Sequence, residues 1–163
     1  MKIRIIGNCG SGKTFLAKVL SKKFGIQHFD LDDICWSNSA ETSGIKRPVS
    51  ERDTLFAEIL QNESWIMEGI YYAWTEKSFD DADIIYVIDI PVYICKFRLI
   101  KRFFMRKTGF EKGKNESIGY LIRIIKWVDK FQNKNFPEIY ALLEKYNDKT
   151  VFLKNTEEIK NLM

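Results

Sequence analysis

The feature that most constrains this chain is an eight-residue segment near its start, Gly7-Asn8-Cys9-Gly10-Ser11-Gly12-Lys13-Thr14. It matches GxxxxGK[ST], follows the apolar run KIRII and precedes a segment with helical spacing of apolar residues, which is the context that this motif requires. Its glycines let backbone N–H groups turn inward as an anion-binding nest, and the next helix adds its positive dipole end. Lys13 supplies a charge for β- and γ-phosphates, and the Thr14 hydroxyl suits Mg²⁺. The segment therefore predicts a nucleotide-binding loop.

Length and composition narrow the class of protein. The chain has 163 residues, of which 45% are hydrophobic and 29% charged, so we predict one globular domain over residues 1–163 and exclude a disordered chain. Three widely spaced cysteines form neither a CxxC pair nor a zinc-binding pattern, which predicts reduced thiols. Because no secretion signal and no apolar run of bilayer length is present, we expect a soluble cytoplasmic protein.

Short apolar runs alternate with segments that have the 3.6-residue spacing of helices. The predicted strands are residues 2–6, 26–30, 64–68, 83–90 and 150–153. The predicted helices are residues 13–24, 50–61 with Ser50 as its cap, 91–107, 116–131, a shorter one after Pro137, and 156–163. Residues 108–115 contain two glycines and are predicted to form a loop. This alternation favours an α/β fold with a parallel sheet covered by helices on both faces, where ligands bind at the carboxyl ends of the strands.

Two carboxylates, Asp30 and Asp32, end the second predicted strand. If the strand extends that far, both side chains point to one side, towards the phosphate-binding loop. There they can orient a metal-bound water or accept a proton from a substrate hydroxyl. The same run of residues, DLDD, also fits the N-cap of a helix, and one aspartate can serve both purposes.

The acid that orients Mg²⁺ beside such a loop has two candidates. Asp89 follows the most apolar strand, but Pro91 comes almost immediately after it and the next helix could use Asp89 as a cap. Glu68 ends the strand in WIMEG, where the glycine lets the backbone approach a ligand closely. We favour Glu68, and the predicted magnesium ligands are Thr14, Asp30 and Glu68.

Positive charge is concentrated in one part of the chain. Residues 96–134 contain twelve Lys or Arg and three Asp or Glu, whereas the rest of the chain is net acidic. Within this segment Arg98, Arg102 and Arg106 recur every four residues and share one helix face. Guanidinium groups suit phosphate oxygens, although a solvated basic face is the plainer interpretation. The segment indicates an anionic partner, and the phosphates of a small molecule or of nucleic acid both fit.

The order of four segments resembles a known family. The phosphate-binding loop is followed by HFDLDDICW at 28–36, WIMEGIYY at 65–72 and ADIIYVIDIP at 82–91. Together they resemble the DNA topology modulation proteins of the FlaR-related family, and more broadly the adenylate kinase and shikimate kinase group of P-loop kinases. The narrower resemblance extends over nearly the whole chain, with looser agreement after Lys107.

This resemblance implies a fold and its ligands. The fold is a five-stranded parallel sheet in the order 2-3-1-4-5, with a substrate-binding region at about 31–63 and a helical lid at about 104–120. The cofactors are ATP and Mg²⁺. Glu68 stands where adenylate kinases carry an aspartate before a glycine, here Gly69.

It also implies roles for individual residues. Arg98 matches the arginine that packs on adenine, and Arg102 matches one that contacts the transferring phosphate. Asn155 and Thr156 match the loop whose backbone holds adenine. The predicted catalytic residues are Lys13, Asp32 and Arg102. The predicted substrate-binding residues are Asp30, Asp32, Trp36, Arg47 and Gly69.

Two functions fit these features. The first is a kinase that transfers the γ-phosphoryl group of ATP to a small-molecule or nucleotide acceptor. The second is a nucleotide-dependent, nucleic-acid-binding regulatory protein, for which the basic segment is the only support because no recognisable nucleic-acid-binding motif is present. We favour the kinase, since a lid that closes on phosphates is also basic. The sequence identifies neither the phosphoryl acceptor nor the oligomeric state, monomer or dimer.

Overall fold

A computed structural model of the chain describes residues 1–37, 44–111 and 117–162. Its strands are β1 (Lys2–Gly7), β2 (His28–Asp30), β3 (Trp65–Glu68), β4 (Ile84–Ile88) and β5 (Thr150–Leu153). Its α-helices are α1 (Lys13–Phe24), α2 (Leu31–Cys35), α3 (Val49–Leu60), α4 (Glu76–Asp81), α5 (Val92–Lys107), α6 (Ile118–Lys130), α7 (Phe136–Leu143) and α8 (Thr156–Asn161). A π-helical segment, Phe131–Asn135, joins α6 to α7, and a 3₁₀ segment, Glu144–Lys149, follows α7.

The strands form one parallel sheet in the order β2-β3-β1-β4-β5. Hydrophobic side chains fill a core on each face of this sheet. Leu16 of α1 and Leu99 of α5 lie in one core, and Phe56 of α3 and Ile139 of α7 lie in the other. The predicted α/β fold and the predicted strand order are confirmed, and the carboxyl ends of β1, β2 and β3 meet at one edge.

Several elements differ from the prediction, most clearly the starts of β2 and α3 and the presence of α4. β2 begins at His28 instead of residue 26, because the N–H of Ile26 donates to the carbonyl of Ser21 in the turn that ends α1. α3 begins one residue earlier than predicted, so that Pro48 precedes it and Ser50 lies within its first turn. α4 was not predicted, since its sequence EKSFDD contains one apolar residue, the buried Phe79.

Some predictions concern residues outside the described part of the chain. The predicted loop at 108–115 and the predicted lid at about 104–120 include residues 112–116, and the predicted substrate-binding region at about 31–63 includes residues 38–43. Among the residues that the structure does describe, no helix is both long and apolar enough to cross a membrane.

Arg4 of β1 is completely buried, and its two terminal nitrogens donate to backbone carbonyls. Its guanidinium donates to the carbonyls of Ile5 and Tyr71, each at 2.6 Å. It also contacts the carbonyls of Met67 at 3.3 Å and Gly69 at 3.5 Å. One side chain therefore ties the ends of β1 and β3 to the loop that leads from β3 to α4.

The charge of Arg4 is kept in the core by these contacts. Burial lowers the pKa of Arg4 to about 9, while the carboxylate of Glu68 acts in the opposite direction. The guanidinium also lies 5.0 Å from the ring centroid of Phe79. At neutral pH the group stays protonated, and it provides the donors that the carbonyls after β3 need.

We expect Arg4→Ala to lower the free energy of unfolding by about 3 kcal/mol or more, because it opens a cavity and leaves buried carbonyls without donors. Arg4→Lys should retain the charge but recover only part of the loss, since one ammonium cannot reproduce the planar fork. Urea denaturation measures both changes. Arg123→Ala, an exposed arginine on α6, is the control and should change stability by less than about 0.5 kcal/mol. A loss below about 1 kcal/mol for Arg4→Ala would contradict the role assigned to Arg4.

Candidate functional site

The predicted phosphate-binding loop lies between β1 and α1, at the carboxyl end of the sheet. Gly10 and Gly12 have positive φ angles of 77° and 107°, a region that favours glycine. A Cβ atom on Gly10 would lie 2.6 Å from the carbonyl oxygen of Cys95, and one on Gly7 would lie 2.6 Å from that of Ile88. The loop therefore packs against β4 and α5 at a distance that only glycine permits.

The loop concentrates hydrogen-bond donors. Lys13 is the first residue of α1 and is largely buried, and its Nζ donates to the carbonyl of Asn8 at 2.9 Å across the loop. Ser11 is fully buried, and its hydroxyl has no hydrogen-bond partner among the described residues. With the backbone N–H groups at the start of α1, these groups form a set of donors suited to an anion.

Asn8 and Cys9 direct their side chains into the protein. The amide nitrogen of Asn8 donates to the carbonyl of Val128 at 2.9 Å, and its Oδ1 accepts from the N–H of Cys9 at 2.8 Å. The Cys9 side chain packs against the hydrophobic core. The bond to Val128 connects the loop to α6.

Burial and four charged side chains affect the pKa of the Cys9 thiol. Burial raises the pKa of this thiol, Lys13 and Arg102 act to lower it, and the carboxylates of Asp32 and Glu68 act to raise it further. These residues are far apart in the sequence and were predicted separately.

The predicted magnesium ligands come from three adjacent elements. Thr14 Oγ1 donates to Glu68 Oε1 at 2.5 Å, and Asp30 is aligned with Glu68 in the register of β2 and β3. Burial, followed by the charge of Glu68, raises the pKa of Asp30 to about 7. His28 Nε2 lies 3.9 Å from the same Glu68 oxygen, and burial lowers the pKa of His28.

This donor set fits Mg²⁺. A hydroxyl and two carboxylates are the hard oxygen ligands that this ion prefers, and a divalent cation would offset the repulsion between Asp30 and Glu68. Within the described ranges, no three His, Cys, Asp or Glu side chains form a metal site by themselves. Mg²⁺ usually takes its other ligands from phosphates and water.

Asp89, the alternative acid, has other partners. It accepts hydrogen bonds from Gln132 Nε2 at 2.9 Å and from the hydroxyl of Tyr140 at 2.6 Å. These bonds fix the end of β4 to the π-helical segment and to α7. The acid that contacts Thr14 is Glu68.

α5 brings two of its three regularly spaced arginines to the loop. Arg98 donates to the carbonyl of Ser11 at 2.8 Å and to Thr156 Oγ1 at 3.0 Å. Arg102 lies one turn further, and its Nε is buried without a hydrogen-bond partner among the described residues. The third, Arg106, pairs with Glu111 at 3.7 Å.

Both Arg98 and Arg102 line a cleft of about 230 Å³ beside the loop. The residues that line it are Gly10, Gly12, Lys13, Thr14, Phe15, Arg98, Leu99 and Arg102. The cleft therefore combines an ammonium, a hydroxyl and two guanidinium groups in one space.

A second cleft, of about 330 Å³, adjoins the first. Its lining residues are Ser11, Gly12, Phe15, Arg98, Thr156, Ile159 and Lys160. Three of them, Gly12, Phe15 and Arg98, also line the first cleft. Of the two residues predicted at the end of β5, Thr156 borders this cleft, whereas Asn155 caps α8 by accepting the N–H of Glu158 at 2.9 Å.

Asp32 lies in the short helix α2, and its partner Tyr71 was not predicted from the sequence. The Tyr71 hydroxyl donates to Asp32 Oδ1 at 2.8 Å and accepts from Trp36 Nε1 at 3.1 Å. Burial, together with the charge of Asp32, raises the pKa of Tyr71. Asp30 caps the same helix by accepting the N–H of Asp32 at 2.9 Å, which confirms the N-cap interpretation of the DLDD run. β2 ends at Asp30, so the strand does not extend to Asp32.

Arg47 and Gly69, both predicted to bind substrate, have close contacts with α2. Arg47 Nε donates to the carbonyl of Ile34 at 3.0 Å, and its guanidinium also pairs with Glu51. A Cβ atom on Gly69 would lie 2.8 Å from Leu31 Cβ. These contacts hold the segment that carries Asp32 and Trp36 against the end of β3.

The sequence contained only weak signals for Arg4 and Tyr71, which were not predicted to take part in the site. Arg4 is a charged residue between two isoleucines in the run KIRII, before the loop. Tyr71 lies in the segment WIMEGIYY, but aromatic residues mostly build hydrophobic cores. The hydrogen bond from Tyr71 to Asp32 spans 39 positions in sequence, which local patterns do not report.

The comparisons with known proteins give a fold and one relative. No protein-family model matches the chain. The uncharacterized protein YqaC of Bacillus subtilis (strain 168) is 32% identical over 105 residues, which is 64% of this chain. The match covers 57% of that relative's length.

Among solved structures, shikimate kinase from Acinetobacter baumannii in complex with shikimate matches 99% of this chain and 88% of its own, with a TM-score of 0.60. The chain therefore shares the fold of this structure, a five-stranded parallel sheet covered by helices on both faces. At 15% sequence identity the likeness concerns the fold alone.

Proposed function

We propose that the chain is a kinase that uses ATP and Mg²⁺ and transfers the γ-phosphoryl group to a small-molecule or nucleotide acceptor. The observation that carries this proposal is the convergence of Lys13, Thr14 and Arg102 on one cleft. Phosphoryl transfer depends mainly on positioning and on neutralising the charge of the phosphates. A buried ammonium, a hydroxyl and a guanidinium around one space supply both.

The nucleotide is proposed to occupy both clefts. Its phosphates suit the first cleft, where the loop N–H groups and Lys13 provide donors. Its base suits the second, where Arg98 and Phe15 offer flat faces and Thr156 lies opposite. Arg98 borders both clefts, and its bonds to Ser11 and Thr156 fix the distance between them.

Thr14, Glu68 and Asp30 are proposed to hold the cation directly or through water. When bound, Mg²⁺ neutralises negative charge on the β- and γ-phosphates and orients them. Thr14 and Glu68 are already in contact, so the chain positions these oxygens through β1, β3 and the start of α1.

Asp32 is proposed to hold the hydroxyl of the acceptor. Its Oδ1 accepts a hydrogen bond from the Tyr71 hydroxyl. Its Oδ2 is therefore left to take the proton of the acceptor's hydroxyl. Trp36 borders the same position through its bond to Tyr71. Because the Arg47 guanidinium is bonded to Ile34 and Glu51, we assign Arg47 to shaping this region.

The narrower family and the second function rest on fewer observations. The motif order supports membership of the FlaR-related family, and the basic segment at 96–134 supports nucleic-acid binding. However, Arg98 and Arg102 of that segment line the cleft, and Lys96 pairs with Asp129 at 2.6 Å. The kinase proposal therefore accounts for part of the same charge.

The direct test is ADP release from ATP and Mg²⁺ in the presence of nucleosides, nucleotides, sugars or short hydroxy acids. We expect one of these classes to raise ADP release above the rate of hydrolysis without an acceptor. If the protein binds ATP but none of the classes raises the rate, a nucleotide-dependent switch becomes the better proposal.

Lys13→Ala should abolish turnover and leave the fold intact, because Lys13 provides charge to the phosphates and its ammonium bonds only to the Asn8 carbonyl among the described residues. The loss of one such donor costs about 3 kcal/mol of transition-state stabilisation, or roughly a 100-fold lower rate. Steady-state ADP release and circular dichroism measure the two effects. Lys18→Ala, on the exposed face of the same helix, is the control. Turnover at the parent rate in Lys13→Ala would show that the loop assignment is wrong.

Asp32→Asn should lower phosphoryl transfer much more than ATP affinity. The amide retains the shape of the carboxylate but cannot accept the acceptor's proton. The measurement is kcat for ADP release together with ATP affinity by calorimetry. Asp33→Asn, at the next and exposed position, should change neither quantity appreciably. Equal losses of ATP binding and turnover would instead assign Asp32 to the metal site.

Arg102→Ala should reduce phosphoryl transfer at least ~100-fold with little change in ATP binding, because a guanidinium that meets the transferring phosphate acts mainly on kcat. Arg102→Lys should restore little of the lost rate, since a lysine side chain lacks the bidentate fork of a guanidinium. Lys107→Ala, at the exposed end of α5, is the matched control and should retain the parent rate.

Arg102→Ala also distinguishes the kinase proposal from the nucleic-acid-binding proposal. If the basic segment binds DNA, the loss of one charge should reduce the salt slope of DNA binding by about one unit and leave ATP turnover unchanged. That result would overturn the kinase role assigned to Arg102.

A further inference from the structure

α5 has an exposed apolar seam on the side opposite the arginines that line the clefts. Its four members follow spacings of four, three and four residues, and their exposed fractions are 72% for Tyr93, 66% for Phe97, 37% for Ile100 and 60% for Phe104. We call these four residues the α5 seam. None of them lines the two clefts described above.

This spacing is that of a helix that packs against another helix. Residues repeated every 3.5 positions form a nearly straight line on the helix surface, and they fit between the side chains of a partner with the same repeat. The α5 seam continues over about three turns. Buried Cys95, Leu99 and Phe103 already occupy the core-facing side of α5, so the seam is not needed to pack the helix onto its own domain.

α6 extends the apolar surface beside the seam. Asp129 of α6 pairs with Lys96 of α5 at 2.6 Å, which shows which face of α6 borders α5. Ile122 and Ile118 precede Asp129 by about two and three helical turns and lie on that face. They are 61% and 50% exposed, and they therefore adjoin the α5 seam.

The area is close to what one partner contributes to a stable dimer. With roughly 200 Å² for a large side chain, the exposed fractions of the α5 seam give about 500 Å², and the two isoleucines raise this to about 700 Å². Apolar patches on monomers are usually about 300–600 Å². A standard protein interface takes about 800 Å² from each partner.

We propose that the α5 seam is the interface of a homodimer, in which α5 packs antiparallel against α5 of a second copy of this chain. A two-fold axis through the middle of the seam pairs Phe97 with Ile100 of the partner and Tyr93 with Phe104 of the partner. Such an interface is isologous, because the same surface is used twice.

The charged residues beside the seam lie on its two flanks, with Lys101 on one and the pair of Lys96 and Asp129 on the other. Arg98 and Arg102 point to the other side of α5, and the dimer leaves both clefts open. This proposal does not depend on the proposed kinase activity.

The test is sedimentation equilibrium of the full chain over a range of protein concentrations. We expect a species of twice the 19.2 kDa chain mass. Phe97→Glu should raise the dimer dissociation constant at least ~30-fold, the loss typical of a central aromatic contact. Phe24→Glu, which changes an exposed phenylalanine at the end of α1, is the matched control and should leave the dimer intact. Denaturation curves confirm that each variant is folded.

A charge-pair variant tests the direction of the helices. Tyr93→Lys and Phe104→Glu should each weaken the dimer, and the double variant should recover at least ~10-fold in affinity because the antiparallel pairing places the new charges opposite each other. No recovery would overturn the antiparallel arrangement. A chain that stays monomeric at all concentrations would overturn the dimer, and a monomer that sediments with phosphatidylglycerol vesicles through Phe97 would show that a membrane surface is the partner instead.

Discussion

The burial of the Arg4 charge is the constraint on which the rest of the structure depends. A guanidinium without access to water must have acceptors, and here backbone carbonyls at the ends of β1 and β3 and in the following loop provide them. The bond from Arg4 to the Tyr71 carbonyl fixes the loop that contains Tyr71. The hydroxyl of Tyr71 in turn donates to Asp32. A buried ion that loses its partners costs several kcal/mol, so the geometry near Asp32 depends on a residue that contacts no proposed ligand.

The second constraint is the close approach of the phosphate-binding loop to its neighbours. Gly7 lies against Ile88, and Gly10 lies against Cys95, at distances that exclude a Cβ atom. This packing brings α5 next to the loop, and Arg98 and Arg102 then reach the cleft. α5 therefore has three surfaces with different uses: an arginine face towards the cleft, a core face, and the apolar seam assigned to a second copy of the chain.

Local patterns predicted what local interactions determine. The helix at 13–24 and the strand at 150–153 have the predicted limits, because apolar spacing and the glycine after the helix act over a few residues. The prediction that Ser50 caps α3 was wrong, because α3 begins at Val49 and Pro48 is its N-cap. α4 was missed because a helix with one buried side chain leaves no periodic signal.

The sequence by itself determined the α/β alternation and the strand–loop–helix setting of the GxxxxGK[ST] segment, because these follow from short motifs and residue spacing. The strand order was implied by the family resemblance. The tertiary structure alone decided that Glu68 and not Asp89 contacts Thr14. It also decided that Tyr71 donates to Asp32, and that Arg47 bonds to residues of α2 and α3. Each of these contacts joins residues from separate elements. Their geometry depends on how the strands align and how the helices pack, and neither is encoded in the neighbouring residues of the chain.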